Sequence, residues 1–178
     1  MSDEAGDPAP APAARALGVL FDTHAPGLHR YLARRVGSHD AEDLVAETFL
    51  AATRSRFDPR RGSERAWLFG IATNLLRRHL RQEVRGYAAQ ARAPREVADP
   101  ADEVAIARVH AAQRVARLAC GLAALPADER DVLLLVAWGG LEPSEVAAAL
   151  GVPAGTARSR LHRARRALRG PTGEDDDA

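Results

Sequence analysis

Apolar residues recur three or four positions apart along most of this 178-residue chain, and the strict alternation typical of half-buried strands is absent. The pattern predicts an all-α protein. Alanine favours helix almost everywhere here, so glycine, proline and polar residues decide where the helices end. The predicted helices cover residues 18–36, 40–56, 64–85, 102–124, 127–138, 143–150 and 154–169.

The same pattern divides the chain into two small helical domains joined by a flexible linker. Residues 86–101 contain two prolines and few apolar side chains, a composition typical of a linker between domains. Residues 1–14 are small, acidic and proline-rich, and residues 171–178 are acidic, so an arm and a tail are predicted to be disordered. The two domains are therefore predicted at residues 15–85 and 102–170.

The most specific local pattern lies in PSEVAAALGVPAGTARSRLHRARRALR, residues 143–169. Gly151 stands where the end of a helix needs a positive φ, and Pro153 can open the next helix. Two short helices joined by such a tight turn describe a helix-turn-helix. The C-terminal domain is therefore predicted to contain one.

The second of these helices has an apolar stripe and a basic face. The stripe consists of Ala157, Leu161, Ala164 and Leu168, and six arginines without one acid lie on the rest of its surface. Such a face can enter the DNA major groove, where guanidinium groups bind guanine edges or phosphates. The alternative is an exposed amphipathic helix, which the mutual repulsion of the arginines disfavours.

Two further faces are predicted in the N-terminal half. Asp40, Asp43 and Glu47 form an acidic stripe, whose natural partner is a basic protein surface; a solvated face is the alternative. A basic ridge follows, made of Asn74, Arg77, Arg78, Arg81 and Arg85. Three aromatic residues near this ridge could stack on an unstacked base, although core packing is favoured for each of them: Phe57, Trp67 and Phe69.

The net charge of +1 conceals a segregation of charge along the chain. Residues 36–53 sum to −4, whereas residues 54–85 and 146–170 each sum to +6. All 25 basic residues are arginine, whose planar fork suits phosphate and guanine. The segregation indicates two contacts with a polyanion and one of another kind, with solvated faces as the alternative.

Several functional classes are disfavoured. The single cysteine, Cys120, excludes an internal disulfide and a cysteine-based zinc site and suits a reducing cytosol. No apolar run reaches the ~18 to 20 residues of a membrane span, and no signal peptide is recognised. Phosphate-binding loops, metal-ligand spacings and nucleophile motifs are absent, so neither an enzyme site nor a cofactor is predicted.

Three segments in order, DAEDLVAETFLAATR, AWLFGIATNLLRRHLR and LPADERDVLLLVAWGGLEPSEVAAALGVPAGTARSRLHRARRALR, resemble the RNA polymerase sigma factors of the extracytoplasmic-function (ECF) class. The resemblance runs from about Leu17 to Arg169. It implies two helical domains, regions two and four, that direct core RNA polymerase to specific promoters and initiate transcription by DNA binding and promoter melting.

The resemblance also implies which residues make each contact. The clamp helices of the polymerase β′ subunit would contact Asp40, Asp43, Leu44, Glu47 and Thr48. The minus-ten promoter element would contact Asn74, Arg77, Arg78, Arg81, Arg60 and Arg61, and the loop 57–64 would capture a flipped base. The minus-thirty-five element would contact Thr156, Arg158, Ser159, Arg160, His162, Arg163, Arg165 and Arg166.

The remaining implications concern partners. Region four would also touch the polymerase β flap, and the linker would thread toward the RNA exit channel. Sigma factors of this class often have a dedicated anti-sigma factor, and the protein would be cytoplasmic and nucleoid-associated, without membrane insertion. Two alternatives remain: a helix-turn-helix regulator that binds a palindromic operator as a dimer, and a nucleic-acid-processing enzyme. The second basic ridge disfavours the former, and the missing catalytic motifs disfavour the latter.

Overall fold

A computed structural model describes residues 12–90 and 117–169, and within those ranges every regular element is helical. The all-α prediction is confirmed. The arm up to residue 11, residues 91–116 of the predicted linker and following helix, and the tail lie outside the described residues. The helices are α1 (Pro12–Val36), α2 (Ser38–Arg54), a short 3-10 helix (Pro59–Arg61), α3 (Glu64–Gln90), α4 (described over 117–124), α5 (Ala127–Ala137), α6 (Pro143–Leu150) and α7 (Ala154–Arg169).

The predicted helix ends agree best with the structure where glycine and proline mark the ends. Helices α6 and α7 have the predicted bounds, and α2 is shifted by two residues at each end. By contrast, α1 begins at Pro12 instead of residue 18, and α3 continues to Gln90 instead of ending at residue 85. The added residues, 12–17 and 86–90, contain several alanines, which favour helix.

The N-terminal half is a three-helix bundle of α1, α2 and α3. Leu28, Tyr31 and Leu32 of α1 are fully buried, and the Tyr31 ring packs on Phe69 with centroids 5.4 Å apart. The hydroxyl groups of Tyr31 and Thr73 share a hydrogen bond of 3.3 Å inside the bundle. Burial raises the pKa of Tyr31, so this hydroxyl stays neutral.

The C-terminal half packs α7 against both α5 and α6. Helix α6 begins with a capping box, in which the side chains of Glu142 and Glu145 bind each other's backbone N–H groups. Gly151 ends α6 with φ 64°, which a side chain would disfavour. The helix-turn-helix prediction matches this geometry, and the apolar stripe of α7 is buried at Ala157, Leu161 and Ala164.

The two halves also pack against each other, which the sequence did not predict. Helix α6 lies on α3, and one apolar cluster runs through both halves. A Cβ on Gly70 of α3 would overlap the backbone carbonyl of Ala149 in α6, so the two helices approach here at backbone contact. The Ser63 hydroxyl donates to Glu145 over 3.0 Å at the edge of this contact.

Candidate promoter-binding and polymerase-binding surfaces

Helix α7 presents the predicted basic face to solvent. The exposed side chains on this face are Arg158, Ser159, His162, Arg163, Arg165 and Arg166. The turn at Gly151 and the buried stripe of α7 fix this orientation, because the apolar side chains must face α5 and α6. In the part of the chain that the structure describes, Arg158, Arg165 and Arg166 have no carboxylate within salt-bridge distance.

Two arginines of α7 are held by acids of α5. Arg160 is mostly buried and lies 2.9 Å from Asp128, and Arg163 Nε donates to Glu129 over 2.6 Å. Thr156, at the start of the helix, is half-buried, and its carbonyl accepts a hydrogen bond from Ser159. The arginines with free guanidinium groups are therefore the ones best placed to meet a phosphate or a base.

The basic ridge of α3 is divided by its surroundings. Asn74, Arg78 and Arg81 are exposed, and Arg78 is paired loosely with Glu47 of α2 at 3.3 Å. Arg77 is only 29% exposed, because its guanidinium group is held by two acids of α5. Burial alone would lower the pKa of Arg77, but these acids outweigh it and raise the pKa.

The loop between α2 and α3 borders a cavity of about 290 Å³. Asp58 accepts hydrogen bonds of 3.1 Å from the backbone N–H and the Nε of Arg60, which hold the pKa of the Asp58 carboxyl below its usual range. Phe57 and Trp67 pack together at 5.4 Å, and both are half-buried. The cavity is lined by Phe57, Asp58, Arg61, Trp67 and Asn74 and, across the gap, by residues 148–151 of α6 and its turn.

The acidic stripe lies on the outer face of α2, with Asp43 and Glu47 exposed and Asp40 half-buried. Two residues predicted to contact the polymerase are placed differently. Leu44 is 3% exposed and Thr48 is fully buried, where its hydroxyl donates to the Leu44 carbonyl over 2.6 Å. Their side chains pack in the bundle core, since they fall on the apolar side of α2.

The sequence did not indicate an apolar groove beside the stripe. Helices α1 and α2 enclose a groove of about 640 Å³, with Phe21 45% exposed at its edge. Its apolar lining consists of Phe21, Ala25, Pro26, Val45 and Ala46, and charged residues including Glu42 lie around them. The sequence does place large apolar residues at three successive positions of α1, Val19 to Phe21. They indicate exposed apolar surface, because one helix face cannot bury them all.

The described residues hold no group of three or more histidine, cysteine, aspartate or glutamate side chains that could bind a metal ion. Cys120 is exposed and free. None of the helices in the described ranges has both the length and the apolar character to cross a membrane.

Comparison with known proteins identifies the family. The model of Sigma-70 region 2 matches residues 20–86, and that of Sigma-70 region 4 matches residues 116–168. The ECF RNA polymerase sigma factor SigL of Mycobacterium tuberculosis is 38% identical over 161 residues, which cover 86% of each chain. The chain belongs to the ECF RNA polymerase sigma factors. Sigma factors bind core RNA polymerase and promoter DNA and direct promoter-specific transcription.

Other ECF sigma factors support this membership. SigE of Mycolicibacterium smegmatis is 35% identical over 170 residues, and the chain spans 64% of that relative's length. The fold is similar to that of CnrH in complex with the cytosolic domain of CnrY, with a TM-score of 0.61 and 30% identity over 92% of this chain and 91% of that one. Of the interpretations that the sequence left open, membership of this family supports a sigma factor and not a regulator that binds an operator.

Proposed function

We propose that this ECF sigma factor is a dissociable specificity subunit that recognises two promoter elements through separate surfaces and opens the duplex without nucleotide hydrolysis. The observation that carries the proposal is the arrangement of charge. Arginine-rich faces on α7 and α3 belong to different halves of the chain, and the acidic stripe on α2 is distinct from both. Two surfaces suit a polyanion and the third suits a basic protein.

The α7 face is proposed to bind the minus-thirty-five element in the major groove. Three exposed arginines without acidic partners among the described residues, Arg158, Arg165 and Arg166, are free to bind phosphates or guanine edges. Arg160 is mostly buried and Thr156 is half-buried, so both position the helix more than they present polar groups. On binding DNA, Arg163 would release Glu129 and pair with a phosphate instead.

The α3 ridge and the adjoining loop are proposed to bind the minus-ten element. Asn74 and Arg61 line the cavity, and the half-buried ring of Trp67 offers a stacking surface. Unstacking one base costs a few kcal/mol. Stacking and hydrogen bonding in such a cavity would offset that cost only for the single-stranded form, so capture of the base would drive melting.

The α2 stripe is proposed to bind core RNA polymerase, with the neighbouring apolar groove adding buried area. Asp43 and Glu47 lie on the face of α2 that remains exposed after the bundle is packed. Charged residues of this kind steer association and set its orientation, while apolar surface supplies most of the affinity. The proposal therefore assigns polymerase recognition to the acids and the groove together.

The remaining parts of the proposal concern the setting in which the protein acts. We propose that the chain is not an enzyme, needs no cofactor, and works in the cytoplasm at the nucleoid, where polymerase and promoters meet. An anti-sigma factor is proposed as a further partner, which the complex of CnrH with the cytosolic domain of CnrY supports. The domain division at residues 15–85 and 102–170 is proposed from the two matched regions.

Binding to core RNA polymerase is the direct test of this function. Purified protein and core enzyme are mixed and separated by size, with and without a DNA duplex carrying a candidate promoter. The proposal expects a stable complex that retains the duplex only when this protein is present. Failure of the protein to join the core enzyme at micromolar concentration would contradict it.

A further inference from the structure

A cavity of about 590 Å³ lies between α1, α3 and the start of α5, and its charged lining is mainly arginine. Its volume falls within the range of ~300–1,000 Å³ that is typical of small-molecule sites. The arginines that line it are Arg35, Arg77, Arg81 and Arg130. The other lining residues are Leu80, Ala127, Asp128 and Asp131.

The two acids at this cavity are each shared between two arginines. Asp131 is 2% exposed, and its oxygens lie 3.2 Å from Arg35 and 2.5 Å from Arg77. Asp128 lies 2.9 Å from Arg77 and 2.9 Å from Arg160 of α7. Because three arginines share two carboxylates, the acids do not neutralise even the arginines that they bind.

The other two arginines of the lining add charge that no acid balances. Arg81 is exposed, and Arg130 is half-buried and donates one hydrogen bond of 2.9 Å to the Leu125 carbonyl. Among the described residues, neither has a carboxylate within salt-bridge distance. The cluster of five arginines and two aspartates therefore has a net charge of +3. Such an excess between protein walls is screened less than on an open surface and attracts anions.

The lining also favours one chemical class of anion. Guanidinium groups bind phosphate oxygens through paired hydrogen bonds, and their planes stack on flat rings. Leu80, Ala127 and the aliphatic stems of the arginines offer apolar surface beside these charges. A small molecule that combines a phosphate group with a planar ring would use both kinds of surface, whereas an inorganic ion would use only the charges.

We propose that this cavity is a binding site for a small organic phosphate with a planar ring, the chemistry of a nucleotide. Its phosphates would bind Arg81 and Arg130, and its ring would lie against Leu80 and Ala127. The site goes beyond the proposed function, which requires no small ligand. Arg81 also belongs to the ridge assigned to DNA, so the tests below change Arg130 and Ala127, which the proposed function does not use.

Two substitutions should weaken the site by different means. Arg130→Gln removes a positive charge that no acid balances, and it keeps a side chain that can donate a hydrogen bond. Ala127 is the exposed first residue of α5. Ala127→Glu puts a carboxylate there, where the helix N-terminus favours it, and the added charge would repel a phosphate.

Each variant has a matched control on α7, away from the cavity lining. Arg165→Gln removes an exposed arginine that also has no acidic partner among the described residues. Ala154→Glu adds a carboxylate at the exposed first residue of α7. Thermal unfolding without ligand checks that all four variants are folded. Ala127→Glu removes no native hydrogen-bonding group, so the test does not depend on Arg130→Gln being stable.

Isothermal titration calorimetry of the full chain with ATP, without magnesium, measures the binding. We expect one ATP per chain, with controls that match the unaltered protein. Both cavity variants should bind at least about ten-fold more weakly, because a charge-assisted hydrogen bond is lost or opposed. Inorganic tripolyphosphate carries the phosphates without the ring and should bind more weakly than ATP, and adenosine, without phosphates, should bind more weakly still.

Three results would overturn the proposal. Absence of saturable binding of ATP would show that the cavity is not a site of this kind. Equal losses in the cavity variants and the controls would show only diffuse attraction to basic surface. Tripolyphosphate binding as tightly as ATP would show that the ring makes no contact. None of these measurements needs polymerase or promoter DNA, so their outcome is independent of the proposed function.

Discussion

Arginine is the only basic residue type in this chain other than histidine. Individual arginines have three different roles, which depend on how deeply each one is buried. Arg35 is buried, and its charge is neutralised by Asp131. Arg77 is partly buried and joined to the other half, whereas Arg158 is exposed. A buried guanidinium group must keep its partner, since an uncompensated buried charge is strongly destabilising. Only the exposed arginines are free to exchange water for phosphate without such a loss.

Removing one exposed arginine of α7 should affect DNA binding and leave polymerase binding intact. Arg158→Ala should weaken binding of the minus-thirty-five element by roughly 1–3 kcal/mol, because a guanidinium contact with base or phosphate is lost. Fluorescence anisotropy of the holoenzyme on a labelled duplex measures this loss, and Arg117→Ala in α4 is the control for removing an exposed arginine elsewhere. An equal loss of affinity for core polymerase would contradict the assignment.

The bounds of α6 and α7 could be predicted from the sequence, because Pro143, Gly151 and Pro153 act locally. The buried stripe of α7 followed from its period as well. Leu44 and Thr48 were predicted as contact residues from the family resemblance, and both side chains are buried here, because a matching motif does not show which side of α2 faces the core. The spacing of apolar residues in α2 places Leu44 on the side of the helix that packs in the bundle.

The anchoring of α7 can be tested through its stripe. Leu161 is 6% exposed, so Leu161→Ala should lower the free energy of unfolding by about 2–5 kcal/mol, through lost burial and the cavity left behind. Urea unfolding followed by circular dichroism measures this change. Leu118→Ala, at a leucine that is 52% exposed, should change stability by less than about 0.5 kcal/mol; similar losses in both variants would show that Leu161 is not an anchor.

The acidic stripe of α2 predicts a selective defect in polymerase binding. Asp43→Arg puts a positive charge toward a basic partner surface, and we expect affinity for core polymerase to fall at least about ten-fold. Glu64→Arg reverses the charge of an exposed acid at the start of α3, which belongs neither to the stripe nor to the groove, and should have a smaller effect. Competition for core enzyme against an unaltered labelled copy measures both. Full affinity in Asp43→Arg would mean that the stripe is only a solvated face.

The ridge of α3 predicts a defect in promoter opening. Arg81 is exposed, and Arg81→Ala should reduce formation of the open complex more than initial binding, because its contact would form with the separated strand. Permanganate reactivity of unpaired thymines reports melting, and a gel-shift assay reports binding. Gln82→Ala, at the neighbouring exposed position, is the control. Unchanged permanganate reactivity in Arg81→Ala would remove this residue from the melting surface.

The packing of the two halves against each other is the main difference between the whole molecule and what the sequence predicts. Two helical halves were predicted, but nothing indicated that α6 packs on α3 or that Asp131 crosses between them. Contacts between the halves use residues that look ordinary locally, such as a helical glycine at position 70 and an acid just before an apolar run. Only their pairing across more than fifty residues of sequence gives them a role, and a single sequence contains no record of such pairing.

Transcription by a reconstituted holoenzyme tests the central claim most directly. Core RNA polymerase is incubated with genomic DNA fragments, nucleotides and this protein, and the 5′ ends of the transcripts are mapped by sequencing. The account predicts start sites that appear only with the protein and share two upstream sequence elements at a fixed spacing. Transcripts that are the same with and without the protein, or start sites without a shared pair of elements, would contradict it.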